Sequence, residues 1–177
     1  NFTDLKTPPF WQTTSQKSVI LNVPSTYPVR PLNGVHISGF VSIDMQKSVY
    51  PNEILPNLLR MDYRLDVDSQ KAHSDMDAFL GDLDETLTAR IKVLQSLWDY
   101  PDWRTFMAVF TGTDRLLHFL HSAYENPDHT HRKSFLNHFR RIDEAIAWMF
   151  SRLSADDAAI VLSDHGFERL DADIYIN

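Results

Sequence analysis

The sequence contains no cysteine, which excludes a disulfide framework and any metal site built from thiolates. It also contains no apolar run of the length needed to cross a bilayer, and no signal-peptide pattern opens the chain. We expect a cytoplasmic protein without a membrane span. The chain starts with Asn instead of Met, which leads us to expect a piece of something larger.

The sequence also has few positively charged residues. It contains 17 Lys and Arg and 24 Asp and Glu, which gives a formal net charge of -7. An acidic surface attracts neither a nucleic-acid polymer nor an anionic membrane, so we predict neither as a partner. The G-x-S-x-G elbow, the Walker loop and the G-x-G-x-x-G fingerprint are absent from the sequence. Serine-hydrolase, kinase and dehydrogenase functions therefore lack support.

An apolar run near the end of the sequence, Ala159–Leu162, is followed closely by Asp164, His165 and Gly166. Four successive apolar residues are typical of a strand that is buried on both faces of a mostly parallel sheet. Ligands bind such sheets at the carboxyl ends of the strands, where Asp164 and His165 would emerge. Gly166 allows a sharp turn that lets the two side chains converge. The alternative is an ordinary turn, because Asp and Gly are common turn residues.

A second apolar run, Phe106–Phe110, ends in a turn that contains Gly112, and a helical pattern then begins at Thr113 or Asp114. Asp114 and His118 are four residues apart, so they lie on the same face of that helix and can bind one ion together. Carboxylate and imidazole are the usual ligands of catalytic zinc and suit related divalent metals. The alternative is that Asp114 only caps the helix and that His118 is a packed or surface residue.

In combination, these two motifs resemble those of the alkaline phosphatase superfamily. The motifs are Thr-Asp-Arg-Leu-Leu-His-Phe at Thr113–Phe119 and Leu-Ser-Asp-His-Gly-Phe at Leu162–Phe167. The nearest branch is the type I phosphodiesterase/nucleotide pyrophosphatase group, with its predicted phosphohydrolases and phosphomutases. The resemblance extends upstream to Asn22–Pro31 and Asn33–Phe40, so it covers most of the chain.

The resemblance implies a small-molecule phosphoester substrate and two divalent metal ions, with zinc expected and manganese or magnesium as alternatives. Such enzymes hold one ion with an Asp-x-x-x-His pair and the other with an adjacent Asp-His pair. Carried over to this sequence, the metal ligands are Asp114, His118, Asp164 and His165. The family also uses an Asp on an early strand, a Thr or Ser nucleophile and a further His, and we identify none of these here. The resemblance therefore implies an internal fragment of a longer phosphodiesterase-like or phosphomutase-like hydrolase, without its nucleophile and inactive alone.

The remaining patterns predict further strands and helices. The predicted strands are Ser18–Val23, Val35–Val41, Tyr63–Val67, Phe106–Phe110 and Ala159–Leu162. The predicted helices are a short one at Pro8–Trp11, then Pro51–Leu59, Asp75–Trp98, Thr113–Tyr124 and Phe135–Leu153. His36, within the second strand, is predicted to be a structural residue, and His121 is predicted to support the metal site from outside the ligand set.

We expect residues 1–177 to form a single three-layer α/β domain, with helices on both faces of a mostly parallel sheet, like an incomplete alkaline phosphatase core. Two functions of other classes stay open beside the phosphohydrolase. One is a metal-binding or regulatory module without chemistry of its own. The other is a structural domain whose Asp and His residues only cap helices and form turns.

Overall fold

The computed structural model describes residues 4–169, which divide into two compact units, one up to Gly112 and one from Thr113 onward. The strands and α-helices are β1 (Ser18–Val23), β2 (Gly34–Ser38), β3 (Val49–Tyr50), α1 (Leu55–Arg60), α2 (Met76–Trp98), β4 (Thr105–Ala108), α3 (Gly112–Glu125) and α4 (Arg132–Phe150). Short 3-10 helices cover Phe10–Gln12, Gln46–Ser48, Asn52–Ile54 and Ser69–His73.

The first unit is built on a four-stranded sheet with the strand order β3-β2-β1-β4. The central strand β1 pairs in parallel with both neighbours, so that Ser18 lies opposite Gly34 on β2 and opposite Thr105 on β4. The short strand β3 pairs with β2 in the antiparallel direction. Parallel pairing predominates, which confirms the predicted α/β class with a mostly parallel sheet.

Two glycines allow the backbones of β1 and β2 to approach closely. A Cβ atom on Gly34, whose φ is +134°, would lie 2.0 Å from the carbonyl oxygen of Ser18. A Cβ atom on Gly39 would lie 2.2 Å from the carbonyl oxygen of Asn22. Asn22 itself has a φ of +61° and lies where the pairing register shifts, between Leu21 and Val23. Glycine is therefore required at the first paired position of β2 and just after the last one.

The core of the first unit consists of the central strands and the apolar stripe of α2. The stripe follows helical spacing, and its buried members include Phe79, Leu83, Leu87 and Leu94. The side chain of Asp75 caps α2 by accepting a hydrogen bond of 3.0 Å from the Ala78 N–H. The predicted helix Asp75–Trp98 is thus confirmed, with Asp75 as its N-cap.

The second unit contains α3 from Thr113 onward and α4. Arg132, the first residue of α4, donates from Nη1 to the carbonyl oxygens of Ala123 and Tyr124, at 2.8 Å each. These bonds satisfy carbonyl groups that the end of α3 leaves without helical partners. Residues 151–169 contain no helix or strand. None of the helices within residues 4–169 combines the length and apolar character that crossing a bilayer requires.

The predicted strand at Ala159–Leu162 is wrong. In the structure this segment belongs to no sheet and is exposed to solvent, Ile160 at 83% and Leu162 at 76%. A strand needs a neighbour that accepts and donates its backbone hydrogen bonds. An apolar run indicates a tendency to be buried, but it does not supply that neighbour.

Smaller differences concern the first unit. Residues Tyr63–Val67, predicted as a strand, form no strand. Of these residues only Tyr63 is buried, and its hydroxyl donates a hydrogen bond to the side-chain oxygen of Asn22. The predicted strand Val35–Val41 stops at Ser38, and Val41 has a φ of +62°, which lies outside the extended region of a regular strand. The two-residue strand β3 was not predicted, since two residues are too short to show an alternating pattern.

Candidate functional site

The first pair of predicted ligands, Asp114 and His118, lies one above the other at the start of α3. The Nε2 atom of His118 is 3.6 Å from Oδ1 of Asp114. The side chain of Asp114 is 27% exposed and that of His118 is 58% exposed, so both can be reached from solvent. The predicted spacing of four residues therefore brings this carboxylate and this imidazole together as a helix requires.

The second pair, Asp164 and His165, lies in a turn that local hydrogen bonds hold in shape. The Ser163 hydroxyl donates to the carbonyl oxygen of His165 at 2.6 Å. The Nδ1 atom of His165 is 3.0 Å from the carbonyl oxygen of Gly166. A carbonyl oxygen can only accept, so Nδ1 carries the proton and, in the neutral imidazole, Nε2 keeps its lone pair. This is the tautomer that a histidine needs to bind a metal through Nε2.

The two pairs meet at His165. Its Nε2 atom is 3.7 Å from Oδ1 of Asp114 and 3.7 Å from Oδ2 of Asp164. Asp114 in turn is shared with His118, so the four side chains form one linked group within the second unit. We call Asp114, His118, Asp164 and His165 the histidine–carboxylate cluster. The convergence arises without the predicted strand at Ala159–Leu162, because the turn brings His165 to Asp114 on α3.

The surroundings of His165 favour its protonated form. The hydrogen bond to the Gly166 carbonyl raises the pKa of His165, and the carboxylates of Asp164 and Asp114 raise it further. Exposure to solvent leaves little burial to oppose these effects. A cation bound at Nε2 of His165 would therefore have to compete with a proton.

The donor set suits a divalent metal ion in kind and in spacing. Two ligand atoms bound to one tetrahedral zinc at about 2.1 Å lie about 3.4 Å apart, close to the separations in the cluster. A catalytic zinc site usually has three protein ligands. Within residues 4–169, no group of three or more His, Asp or Glu side chains is placed to hold one ion. The cluster therefore presents pairs of ligands, and the metal role of its four residues stays a prediction.

Phe167 ends the Leu162–Phe167 motif, but sequence reasoning assigned it no role in the site. Its ring centroid lies 5.0 Å from that of His118 and 5.4 Å from that of His165. An aromatic residue two positions after His165 was a visible signal, but only the structure shows that it contacts an imidazole from α3.

The other histidines lie away from the cluster or carry other contacts. His121, predicted to support the metal site, has its Nδ1 atom 3.8 Å from Oε1 of Glu125, and its ring packs on Tyr124. His36 is fully buried in β2, against the ring of Trp11, which agrees with a structural role.

Comparison with known proteins adds one match. The family model for type I phosphodiesterase/nucleotide pyrophosphatase matches residues 3–177. No curated protein and no solved structure shows significant similarity to the chain.

Proposed function

The chain belongs to the type I phosphodiesterase/nucleotide pyrophosphatase family, and from this premise we propose that it is the ligand-bearing part of a metal-dependent phosphohydrolase. We assign two divalent ions to the histidine–carboxylate cluster, one to Asp114 and His118 and the other to Asp164 and His165. Zinc is the proposed ion, because carboxylate with imidazole is its usual catalytic donor set, and manganese or magnesium are alternatives.

One observation carries this proposal, the placement of His165 between two carboxylates with its Nδ1 atom bonded to the Gly166 carbonyl. A histidine that only filled a turn would not need a fixed tautomer and two acidic neighbours. Here the bond at Nδ1 turns the lone pair of Nε2 toward Asp114 and Asp164, where a cation would neutralise both acids.

The residues of the cluster would act by binding and orienting. Bound divalent ions polarise a phosphoryl oxygen and make an attacking hydroxyl more acidic. Asp114 is placed to balance the charge of either ion, because both histidines lie within 3.7 Å of its Oδ1 atom. The exposure of His118 and His165 leaves room for a phosphoester beside them.

We further propose that the 177-residue chain binds metal weakly and does not turn over substrate by itself. Each pair supplies two protein ligands, one fewer than a catalytic zinc site usually has. Phosphodiester turnover by the chain that disappears in Asp164→Ala would overturn the proposed inactivity, while it would support the assignment of the cluster.

The metal assignment can be tested by zinc titration, followed by NMR of the histidine rings. We expect zinc to shift the signals of His118 and His165, and we expect His165→Ala to weaken zinc binding at least tenfold. His73→Ala is the matched control, because His73 is exposed and lies on a 3-10 helix of the first unit. Equal zinc affinity in wild type, His118→Ala and His165→Ala would favour a structural domain instead.

Binding of a phosphomonoester separates a hydrolase site from a simple metal-binding module. Phenyl phosphate is the product of hydrolysis of an aryl phosphodiester. Its 31P NMR signal should broaden only when the chain and zinc are both present. The broadening should be absent in Asp114→Ala, which loses the carboxylate that both histidines share. Zinc binding without any effect on phenyl phosphate would favour the module.

A further inference from the structure

Phe167 joins the two histidines of the histidine–carboxylate cluster. Its ring meets that of His118 edge to face, at an interplanar angle of 87°, and meets that of His165 at 56°. The centroid separations of 5.0 Å and 5.4 Å lie in the range in which aromatic rings attract one another. One side chain therefore contacts an imidazole from α3 and an imidazole from the 163–166 turn.

The cluster needs such a contact because its histidines are exposed. The side chain of His118 is 58% exposed and that of His165 is 53% exposed, so solvent alone would allow each ring several rotamers. Phe167 is half-buried, whereas residues 159–166 before it are all exposed. Within residues 159–167, the ring of Phe167 is therefore the side chain that packs, and it packs against the imidazoles of His118 and His165.

We propose that Phe167 is a positioning residue that holds the Nε2 atoms of His118 and His165 toward Asp114. The inference rests on the proposed function, since the benefit of this arrangement is a preorganised pair of metal ligands. Phe167 itself contributes no ligand atom and acts through the two rings. Without the ring of Phe167, the imidazoles of His118 and His165 should rotate more freely about their side-chain bonds.

The ring contact can be tested without any metal. In Phe167→Leu the apolar character stays and the ring current disappears, so the ring-proton signals of His118 and His165 should move in the metal-free NMR spectrum. The signals of His36 and His73 should not move. Phe150→Leu, at the exposed end of α4, is the matched control and should leave all four histidines unchanged.

The consequence for metal binding can be tested by zinc titration of the same variants. We expect Phe167→Leu to weaken zinc binding about two- to tenfold, which is the strength of an aromatic pair expressed as affinity. Phe167→Tyr keeps the ring and should restore the wild-type affinity. Phe150→Leu should bind zinc as the wild type does.

Two outcomes would overturn the inference. One is a metal-free spectrum in which Phe167→Leu leaves the signals of His118 and His165 unmoved. The other is a wild-type chain that binds zinc at His165 while Phe167→Leu binds it equally well. A wild-type chain that takes no zinc would refute the proposed metal site instead, and the metal-free shifts would then decide only whether Phe167 lies against the two rings.

Discussion

Replacement of His36 should remove a large part of the pH dependence of folding. His36 lies on β2 with no solvent exposure, and its ring meets that of Trp11 in a T-shaped contact at a centroid distance of 6.0 Å. Burial lowers the pKa of His36 from its ordinary value of 6.5 to about 4. In the folded protein the imidazole therefore stays neutral over a pH range in which an unfolded chain would bind a proton.

The sign and size of the effect follow from this difference in pKa. Below pH 6.5 the unfolded state takes up a proton at His36 that the folded state does not, so the free energy of unfolding falls as the pH falls. The loss is complete near pH 4 and amounts to about 3 kcal/mol, since each pKa unit is worth about 1.4 kcal/mol. Against the 5–15 kcal/mol or so of a typical domain, such a loss is easily measured.

The assay is urea unfolding, followed by tryptophan fluorescence, at several pH values between 7.5 and 4.5. We expect the wild type to lose stability through this range and His36→Gln to lose about 2 kcal/mol less by pH 5, because glutamine does not titrate. His73→Gln, at an exposed position, should keep the wild-type slope. Equal slopes for wild type and His36→Gln would refute the assignment of a neutral buried imidazole.

Three further predictions concern single groups. Tyr63→Phe should lower the free energy of unfolding by about 1–3 kcal/mol in urea, because the buried side-chain oxygen of Asn22 loses its donor, and a loss below about 0.5 kcal/mol would contradict this. Asp82 is buried, which raises its pKa, but hydrogen bonds from the Asp68 N–H and from Lys71 and the charges of Lys71 and Arg64 outweigh burial and lower it overall. Asp82→Asn should therefore cost about 1–3 kcal/mol at pH 7. The difference from wild type should shrink as the pH falls below 3.8, the ordinary pKa of the group, because the unfolded state then binds a proton that the folded state binds only at lower pH. A difference that does not change with pH would count against the ion pairs. Zinc affinity should fall as the pH falls through the raised pKa of His165, and a pH-independent affinity measured by calorimetry between pH 8 and 6 would exclude His165 as a ligand.

Local chemistry was enough to predict the elements that carry their own signals. β1 and α2 match their predicted bounds because a continuous apolar run and an apolar stripe with an Asp cap are both local features. The strand predicted at Ala159–Leu162 has an equally strong apolar run and is nonetheless exposed. The difference is that β1 has a partner on each side, and pairing between distant segments cannot be read from a run of residues.

In the candidate site, too, the local contacts could be predicted from the sequence and the contacts between distant segments could not. The pairing of Asp114 with His118 follows from helical spacing alone. The sequence predicted that Asp164 and His165 emerge at the end of a strand, but the structure brings His165 to Asp114 through a turn bonded by Ser163 and Gly166. The contact of Phe167 with His118 depends on how that turn meets α3, which residue types do not encode locally.

The most direct test of the account is the position of zinc in crystals of the chain grown with the metal, located by anomalous scattering at the zinc edge. We predict that the anomalous peaks lie within about 2.3 Å of Nε2 of His165 or Nε2 of His118, with a carboxylate oxygen of Asp114 or Asp164 as a second ligand. Zinc bound only elsewhere, for example at His129 and His131, would contradict the assignment of the histidine–carboxylate cluster as the metal site.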